Sequence, residues 1–105
     1  MPPATPMLVL VVRETGLRSA LVARLSLAGA DVVTADSLDD QRVQRWLANG
    51  PVLIIDQAAL ADCAGGEAVL RADSRWRDIA VIGGASTDIA AAIEAKLPGW
   101  GYPAR

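Results

Sequence analysis

The chain contains no histidine and a single cysteine, and these shortages exclude much of the chemistry open to small proteins. Without histidine, a Ser-His-Asp triad, a histidine-ligated zinc site and a histidine general base cannot be built from this chain alone. Cys63 has no second cysteine for an internal disulfide and no histidine to activate its thiol. We therefore expect Cys63 to be inert, which leaves carboxylates as the main reactive groups.

Long apolar runs and clusters of basic residues are also absent from the sequence. No run approaches the ~20 apolar residues needed to cross a bilayer, and the N-terminus lacks the charged start and apolar core of a signal peptide. The net charge is −2, the sequence pI is about 4.9, and the arginines are scattered. These features argue against nucleic acid or a membrane as partner and predict a cytoplasmic protein.

Short apolar runs alternate with segments of helical spacing along the chain. With 105 residues and 52% hydrophobic content, the chain can build one core. Apolar runs at 7–12, 31–34, 51–56 and 79–82 predict buried strands. Helical spacing at 17–28, 43–47, 68–72 and 89–97 predicts helices between and after them. This alternation predicts an α/β domain with one parallel sheet covered by helices on both faces.

Local signals mark several ends of these predicted elements. Ser37 or Asp39 is placed to cap the helix at 43–47, and Gly29 and Gly50 lie where two helices should end. Residues 1–6 contain three prolines, which lack amide donors, so we expect a disordered lead-in there.

The most informative stretch is PVLIID, an apolar run that ends on Asp56. In open α/β sheets, functional sites collect beyond the carboxyl ends of the strands, where Asp56 is expected. Glu14 follows the first strand, so the two carboxylates should lie close together at one rim, with Arg13 near enough to pair with one of them. Two carboxylates, a backbone carbonyl and water suit magnesium, although acids at strand ends are also common as solvated loop residues.

The order of the segments MLVLVV-RE, VARLSLAGADVVTADS, PVLIID, WRDIAVIG and GWGYPAR resembles that of a response-regulator receiver domain. The resemblance covers residues 7–105. It implies a flavodoxin-like doubly wound parallel sheet of five strands in the order 2-1-3-4-5. It also implies the family's activity, which is acceptance of a phosphoryl group from a histidine kinase onto an aspartate with the help of magnesium.

Carried onto this sequence, the resemblance assigns the phosphoacceptor to Asp56 and one metal-binding acid to Glu14. Tyr102 matches the family's switch aromatic. The family's second acid is replaced by Arg13, which puts a cation where magnesium needs an anion. The resemblance therefore gives the chain only part of the metal site.

Two further positions depart from the family pattern. Ala85 stands where a switch threonine or serine is usual, although Ser86 is adjacent and an alignment shift of one residue would restore the hydroxyl. Arg105 matches the family's lysine and keeps its charge with a different hydrogen-bond geometry. These departures predict a pseudo-receiver, which is not an enzyme and acts through contacts with a histidine kinase or with other domains of its parent protein. A working phosphoacceptor at Asp56 remains the alternative.

A third interpretation is a flavodoxin-like module that binds a nucleotide or another small ligand. Gly83 and Gly84 would let a phosphate approach the backbone, but the full glycine fingerprint and the P-loop lysine are missing. Trp100, Tyr102 and Arg105 are the clustered candidates for ligand contacts. For the two aromatic residues, packing within a strand is the favoured alternative.

The C-terminal segment predicts an incomplete receiver. Arg105 falls where the fifth strand should end, so the final helix is expected to be missing from this chain. An apolar patch beside the first helix would then be bare, to be covered by the rest of a parent protein or by a second copy. We expect the chain alone to be a homodimer, to swap segments or to be poorly stable.

Overall fold

The computed structural model describes residues 5–83 and 89–102. Four of the positions discussed above, Gly84, Ala85, Ser86 and Arg105, lie outside the described residues. In chain order the elements are β1 (Leu8–Val11), α1 (Thr15–Leu27), β2 (Val32–Thr34), α2 (Gln41–Leu47), β3 (Val52–Asp56), α3 (Gln57–Ala61), α4 (Gly66–Ala72), β4 (Asp78–Ile82), α5 (Ile89–Glu94) and a 3₁₀ helix (Leu97–Trp100).

The described strands form one parallel sheet of four strands in the order β2-β1-β3-β4. This arrangement confirms the prediction of a parallel α/β sheet, and the order agrees with the first four positions of 2-1-3-4-5. The chain builds outward in one direction from β1 to β2 and in the other from β3 to β4. The β1/β3 boundary is therefore the topological switch point, where open α/β sheets carry their sites.

Both faces of the sheet are covered by helices, because alternate residues of the buried strands point to opposite sides. The first face packs against α1, α5 and the 3₁₀ helix, and the second against α2, α3 and α4. The buried side chains of the first face are Leu8, Leu10, Val12, Leu21, Leu25, Val52, Ile54, Ala80, Ile82, Ile93, Leu97, Trp100 and Tyr102. Those of the second face are Val9, Val11, Ala35, Val43, Leu47, Leu53, Ile55, Ala59, Leu70, Trp76 and Ile79.

Helix α1 ends as its sequence predicts, at a glycine in the left-handed region. Gly29 has φ 90°, and its N–H donates to the Ser26 carbonyl at 3.0 Å. The Ala30 N–H donates to the Leu25 carbonyl at 3.0 Å, which completes a Schellman motif. Gly50, which follows α2, also has a positive φ of 63°. Both glycine positions are confirmed as helix ends.

The cap of α2 differs from the prediction. Asp40, not Ser37 or Asp39, is the N-cap, and its side chain accepts from the Arg42 N–H at 2.9 Å. The Arg42 guanidinium donates to the same carboxylate at 2.8 Å, and this hydrogen bond lowers the pKa of Asp40 to about 2. Several cap-forming side chains precede this helix, so spacing alone could not identify the one whose carboxylate reaches the first amides.

A fifth strand is not found among the described residues. The segment expected to begin it forms the 3₁₀ helix, followed by Gly101 at φ 99°. Pro98 supplies no amide for a ladder, and a left-handed glycine breaks an extended backbone. The Trp100 indole N–H donates to the Asp78 carboxylate at 2.8 Å, so this segment is anchored at the start of β4.

The face beside α1 is not bare, in contrast to the expectation from the missing final helix. Helix α5 packs against α1 there, with Ile93 buried between them. Arg24 of α1 and Glu94 of α5 form an ion pair at 2.6 Å across this contact. Among the described residues, the large apolar side chains that are exposed are Leu27 and Val69. The patch is covered because α5, the helix that follows β4 in the chain, packs on the α1 face.

Pro6, at the end of the expected lead-in, lies against the C-terminal segment of the described chain. Pro6 is buried, and its carbonyl accepts a hydrogen bond from the Tyr102 hydroxyl. The last residue of the segment 1–6 therefore contacts the core through Tyr102. No helix in the described part of the chain has both the length and the apolar character needed to span a membrane.

Candidate functional site

Asp56 lies where the sequence placed it, at the carboxyl end of β3 and next to the switch point. One carboxylate oxygen accepts from the Arg13 N–H at 2.8 Å and from the Glu14 N–H at 3.2 Å. The other oxygen accepts from the Ala59 N–H at 2.8 Å. The Asp56 side chain thus connects the loop after β1 to the first turn of α3.

The surroundings of Asp56 are those of a structural carboxylate. The residue is 5% exposed, and no other polar or charged residue is as fully buried in the described part of the chain. Hydrogen bonds from amides to an ionised carboxylate are stronger than neutral ones, and here they compensate for the lost hydration. The carboxylate is also the N-cap of α3, a helix of five residues. Asp56 therefore links the loop after β1 to α3 through hydrogen bonds.

Glu14 lies at the same rim, as predicted, and it too caps a helix. Its carboxylate accepts from the Gly16 N–H at 3.1 Å and from the Leu17 N–H at 2.6 Å, at the N-terminus of α1. Glu14 and Asp56 line a shared hollow of about 370 Å³ that also touches Gln57. The structure brings the two predicted acids together, with both carboxylates already bound to backbone amides.

Arg13 contributes to the site through its backbone, whereas its side chain has a different partner from the one predicted. The guanidinium forms an ion pair with Asp62, which follows α3, and not with Asp56 or Glu14. Both side chains of this pair are about half exposed, at 47% and 56%, so its contribution to stability is at most about 1 kcal/mol. The pairing with Asp62 was missed because α3 itself was not predicted.

The residues present do not fit a magnesium site well. Within residues 5–83 and 89–102, no group of three or more His, Cys, Asp or Glu side chains is placed to hold a metal ion. The oxygens of Asp56 and Glu14 accept from amides, whose partial positive charges would face a bound cation. Magnesium prefers anionic and carbonyl oxygens with room for its own water. The donors that surround these carboxylates are instead suited to anions.

A second hollow, of about 360 Å³, lies on the other side of Arg13 and is lined by Asp39, Asp62 and Cys63. Burial raises the pKa of the Cys63 thiol, and the negative charges of Asp39 and Asp62 raise it further, with Arg13 opposing them. The thiol donates to the Ala59 carbonyl at 3.5 Å. A protonated thiol is a poor nucleophile, in agreement with the expectation that Cys63 is inert.

Tyr102 lies at the amino ends of the strands, whereas Asp56 lies at their carboxyl ends. Its hydroxyl donates to the Pro6 carbonyl and accepts from the Asp31 N–H at 3.3 Å, and these two residues precede β1 and β2. With ~3.3 Å of rise per strand residue, roughly 15–20 Å separates this hydroxyl from the Asp56 carboxylate. The structure does not bring the expected switch aromatic and the expected phosphoacceptor together.

Of the other candidate ligand contacts, Trp100 and Tyr102 pack in the core, and Gly84 and Arg105 lie outside the described residues. Trp100 and Tyr102 are each 4% exposed and belong to the core of the α1 face, so they serve as packing residues. Gly83 borders the hollow beside Asp56, where an added Cβ would come within 2.4 Å of the Gln57 side chain. A larger residue at position 83 would require the exposed Gln57 side chain to move.

The amides that hold Asp56 were not foreseen from the sequence. A signal was present, because an acid directly before QAAL, a run of good helix formers, is typical of an N-cap. The strand assignment of Asp56 concealed this second role. The amides of Arg13 and Glu14 carry no signal in the sequence, since any non-proline residue supplies one.

Comparisons of the chain with models of protein families, with curated proteins and with solved structures find no match. The resemblance to receiver domains therefore depends on the order of the segments in the sequence. The strand order and the rim position of Asp56 and Glu14 are compatible with that resemblance.

Proposed function

We propose that this chain is a receiver-like signalling domain with the flavodoxin-like architecture, and that it is a pseudo-receiver. It regulates by protein–protein contacts within a larger cytoplasmic protein or with a histidine kinase, and it does not transfer phosphoryl groups. The observation that carries this proposal is the state of Asp56, a buried carboxylate whose two oxygens accept from three backbone amides.

The hydrogen bonds of Asp56 oppose its use as a phosphoacceptor. A carboxylate oxygen attacks phosphorus with a lone pair, and amide donors withdraw electron density from that oxygen. The new phosphoryl group would also displace at least one amide and bring more negative charge to the rim. Phosphoryl transfer depends on cations that neutralise this charge. The side chain of Arg13, whose amide binds Asp56, is already paired with Asp62.

The order β2-β1-β3-β4, with Asp56 and Glu14 at the switch point, supports a receiver-like origin for the fold. A docking role needs a stable surface and no reactive group, and amides that fix Asp56 make such a surface more rigid. The same contacts do not favour a working phosphoacceptor, which remains the outcome to be tested.

Treatment with acetyl phosphate and magnesium tests the proposal directly. We expect intact mass spectrometry to show no stoichiometric addition of a phosphoryl group to the native chain. Asp56→Asn is the control that identifies any modification of this residue. Stable modification of the native chain that disappears in Asp56→Asn would contradict the proposal and would favour an active receiver.

The variant Arg13→Asp separates two explanations of a negative result. If the missing second acid alone prevents the reaction, this variant should gain magnesium-dependent modification. We expect it to remain unmodified, because the amides of residues 13 and 14 and of Ala59 still hold the Asp56 carboxylate. Modification of Arg13→Asp would show that those hydrogen bonds are no obstacle.

A further inference from the structure

The sequence contains one asparagine, and a glycine follows it. Asn49 and Gly50 lie in the short connection between the end of α2 at Leu47 and the start of β3 at Val52. Asparagine is a thermolabile residue, because the backbone nitrogen of the next residue can attack its side-chain amide. Glycine carries no side chain to obstruct that attack. The pair therefore has the chemistry to lose the asparagine amide without an enzyme.

The Asn49 side chain is exposed and unrestrained. Within the described residues it makes no hydrogen bond, and only the backbone N–H of Asn49 is held, by the Trp46 carbonyl at 3.0 Å. The backbone of Gly50 is also accessible. Apart from the neighbours of Gly50 in the chain, no described atom lies within 4 Å of the position that a Cβ would take there. The fold therefore leaves room for the Asn49 side chain to reach the Gly50 nitrogen.

The Gly50 nitrogen is held by a weak contact. Its N–H donates to the Leu47 carbonyl at 3.3 Å, which is beyond the roughly 2.7–3.2 Å of a normal N–H···O bond. The contact belongs to the turn that ends α2, and helix ends open at little cost in free energy. Opening of this turn frees the nitrogen without unfolding the sheet.

We propose that Asn49 deamidates spontaneously in the folded chain, through a cyclic imide formed with Gly50. The Gly50 nitrogen loses its proton to hydroxide and attacks Cγ of Asn49, so that a C–N bond forms. The bond from Cγ to Nδ2 then breaks, and Nδ2 takes a proton from water and leaves as ammonia. Water opens the ring at either carbonyl, which gives aspartate or isoaspartate. The net reaction consumes water and releases ammonia.

This reaction needs neither Asp56 nor a partner protein, so it goes beyond the function proposed above and does not depend on it. Each conversion replaces a neutral amide by a carboxylate and makes the net charge of −2 more negative. The isoaspartate product also carries the main chain through its side-chain carbon, directly before Pro51. Ion-exchange chromatography should therefore separate converted from unconverted chains.

Incubation of the native chain at neutral pH, followed by trypsin digestion and mass spectrometry, tests the proposal. The peptide from Trp46 to Arg71 contains the only asparagine, and a digest at time zero corrects for reaction during handling. We expect aspartate and isoaspartate to accumulate together, and faster at higher pH because the attacking nitrogen must lose its proton. Aspartate without isoaspartate would indicate direct hydrolysis of the side chain and would overturn the proposal.

The chain unfolded in guanidinium chloride supplies the reference rate. If opening of the last turn of α2 is sufficient, the native rate should lie within about tenfold of the unfolded rate. If the whole domain must unfold first, the native rate should be lower by about 10³-fold or more. A native rate more than tenfold below the reference would therefore overturn the claim that the folded chain reacts.

Two variants test the roles of the asparagine and of the helix end. Asn49→Gln keeps an amide but would have to close a larger ring, so conversion at position 49 should be lost. Gln44→Asn places a second exposed asparagine within α2, where Arg45 follows it. Fragmentation of the intact chain should show conversion at position 49 and not at 44. Equal conversion at both positions would show that Gly50 and the helix end are irrelevant, and the proposal would be wrong.

Discussion

At the scale of single residues, Asp56 occupies the position that the receiver resemblance assigns to a phosphoacceptor, and it also caps a helix. The receiver pattern places a phosphoacceptor at the end of the third strand, and Asp56 is there. Its oxygens, however, accept hydrogen bonds from the amides of Arg13 and Glu14 and from that of Ala59 in α3. A carboxylate held in this way stabilises the fold through the same atoms that a phosphoacceptor would use for attack.

The Asp56 carboxylate accepts from the amides of Arg13, Glu14 and Ala59. We predict that Asp56→Ala lowers the free energy of unfolding by about 2–4 kcal/mol, because a helix cap is lost and buried amides become unsatisfied. Asp56→Asn should cost less, since its side-chain carbonyl still accepts. Urea denaturation measures both. The control Asp62→Asn removes an exposed ion pair and should change stability by at most about 1 kcal/mol; an equal loss in all three variants would contradict the prediction.

At the scale of elements, the segment after β4 covers the sheet face that was expected to need a further C-terminal helix. Helix α5 packs on α1, and the 3₁₀ helix and Tyr102 complete the same face of the core. The Tyr102 hydroxyl joins the amino ends of β1 and β2 through Pro6 and Asp31. The end of the described chain thus holds its beginning in place.

We predict that Tyr102→Phe destabilises the domain by about 1–3 kcal/mol, because the Pro6 carbonyl and the Asp31 amide lose their partner while the ring still fills its site. Urea denaturation gives the loss. The amide chemical shift of Ala59 should stay unchanged. This amide donates to Asp56 at the carboxyl ends of the strands, whereas Tyr102 lies at their amino ends. A change in the chemical shift of that amide in Tyr102→Phe would instead support coupling between the amino and carboxyl ends of the strands, and with it a switch role for Tyr102.

At the scale of the whole molecule, a sheet of four strands is covered on both faces by the described helices. The bare α1 face was the reason to expect a dimer through that surface, and α5 removes this reason. The contact between α1 and α5 should therefore be part of the stable core of a single chain.

We predict that Ile93→Ala destabilises the chain by about 2–4 kcal/mol, because it opens a cavity between α5 and α1. Leu27→Ala is the matched control, since Leu27 is 79% exposed and its truncation should cost no more than about 0.5 kcal/mol. Thermal and urea denaturation would compare the two, and light scattering of the native chain should give the mass of a monomer. A dimer that dissociates in Ile93→Ala would show that α5 is covered by a second copy.

Much of the fold could be predicted from local sequence patterns. Apolar runs such as LVLV and VLIID are buried throughout, and this property of the side chains predicts parallel strands whatever lies beside them. Glycines such as Gly29 end helices because their backbone alone enters the left-handed region without strain. The meeting of Asp56 and Glu14 at one rim follows from the parallel direction of their strands.

Other features depended on which groups come together in space. The cap at Asp40, the ion pair between Arg13 and Asp62 and the amides around Asp56 are each decided by differences of a few ångströms among several suitable partners. In the described chain α5 packs on the α1 face, and the segment after it contains Pro98 and Gly101, which do not suit a strand. The sequence by itself determined the layers of this protein, since burial and periodicity are local properties. Only the tertiary structure decided the role of Asp56, because the donors that surround a carboxylate come from distant parts of the chain.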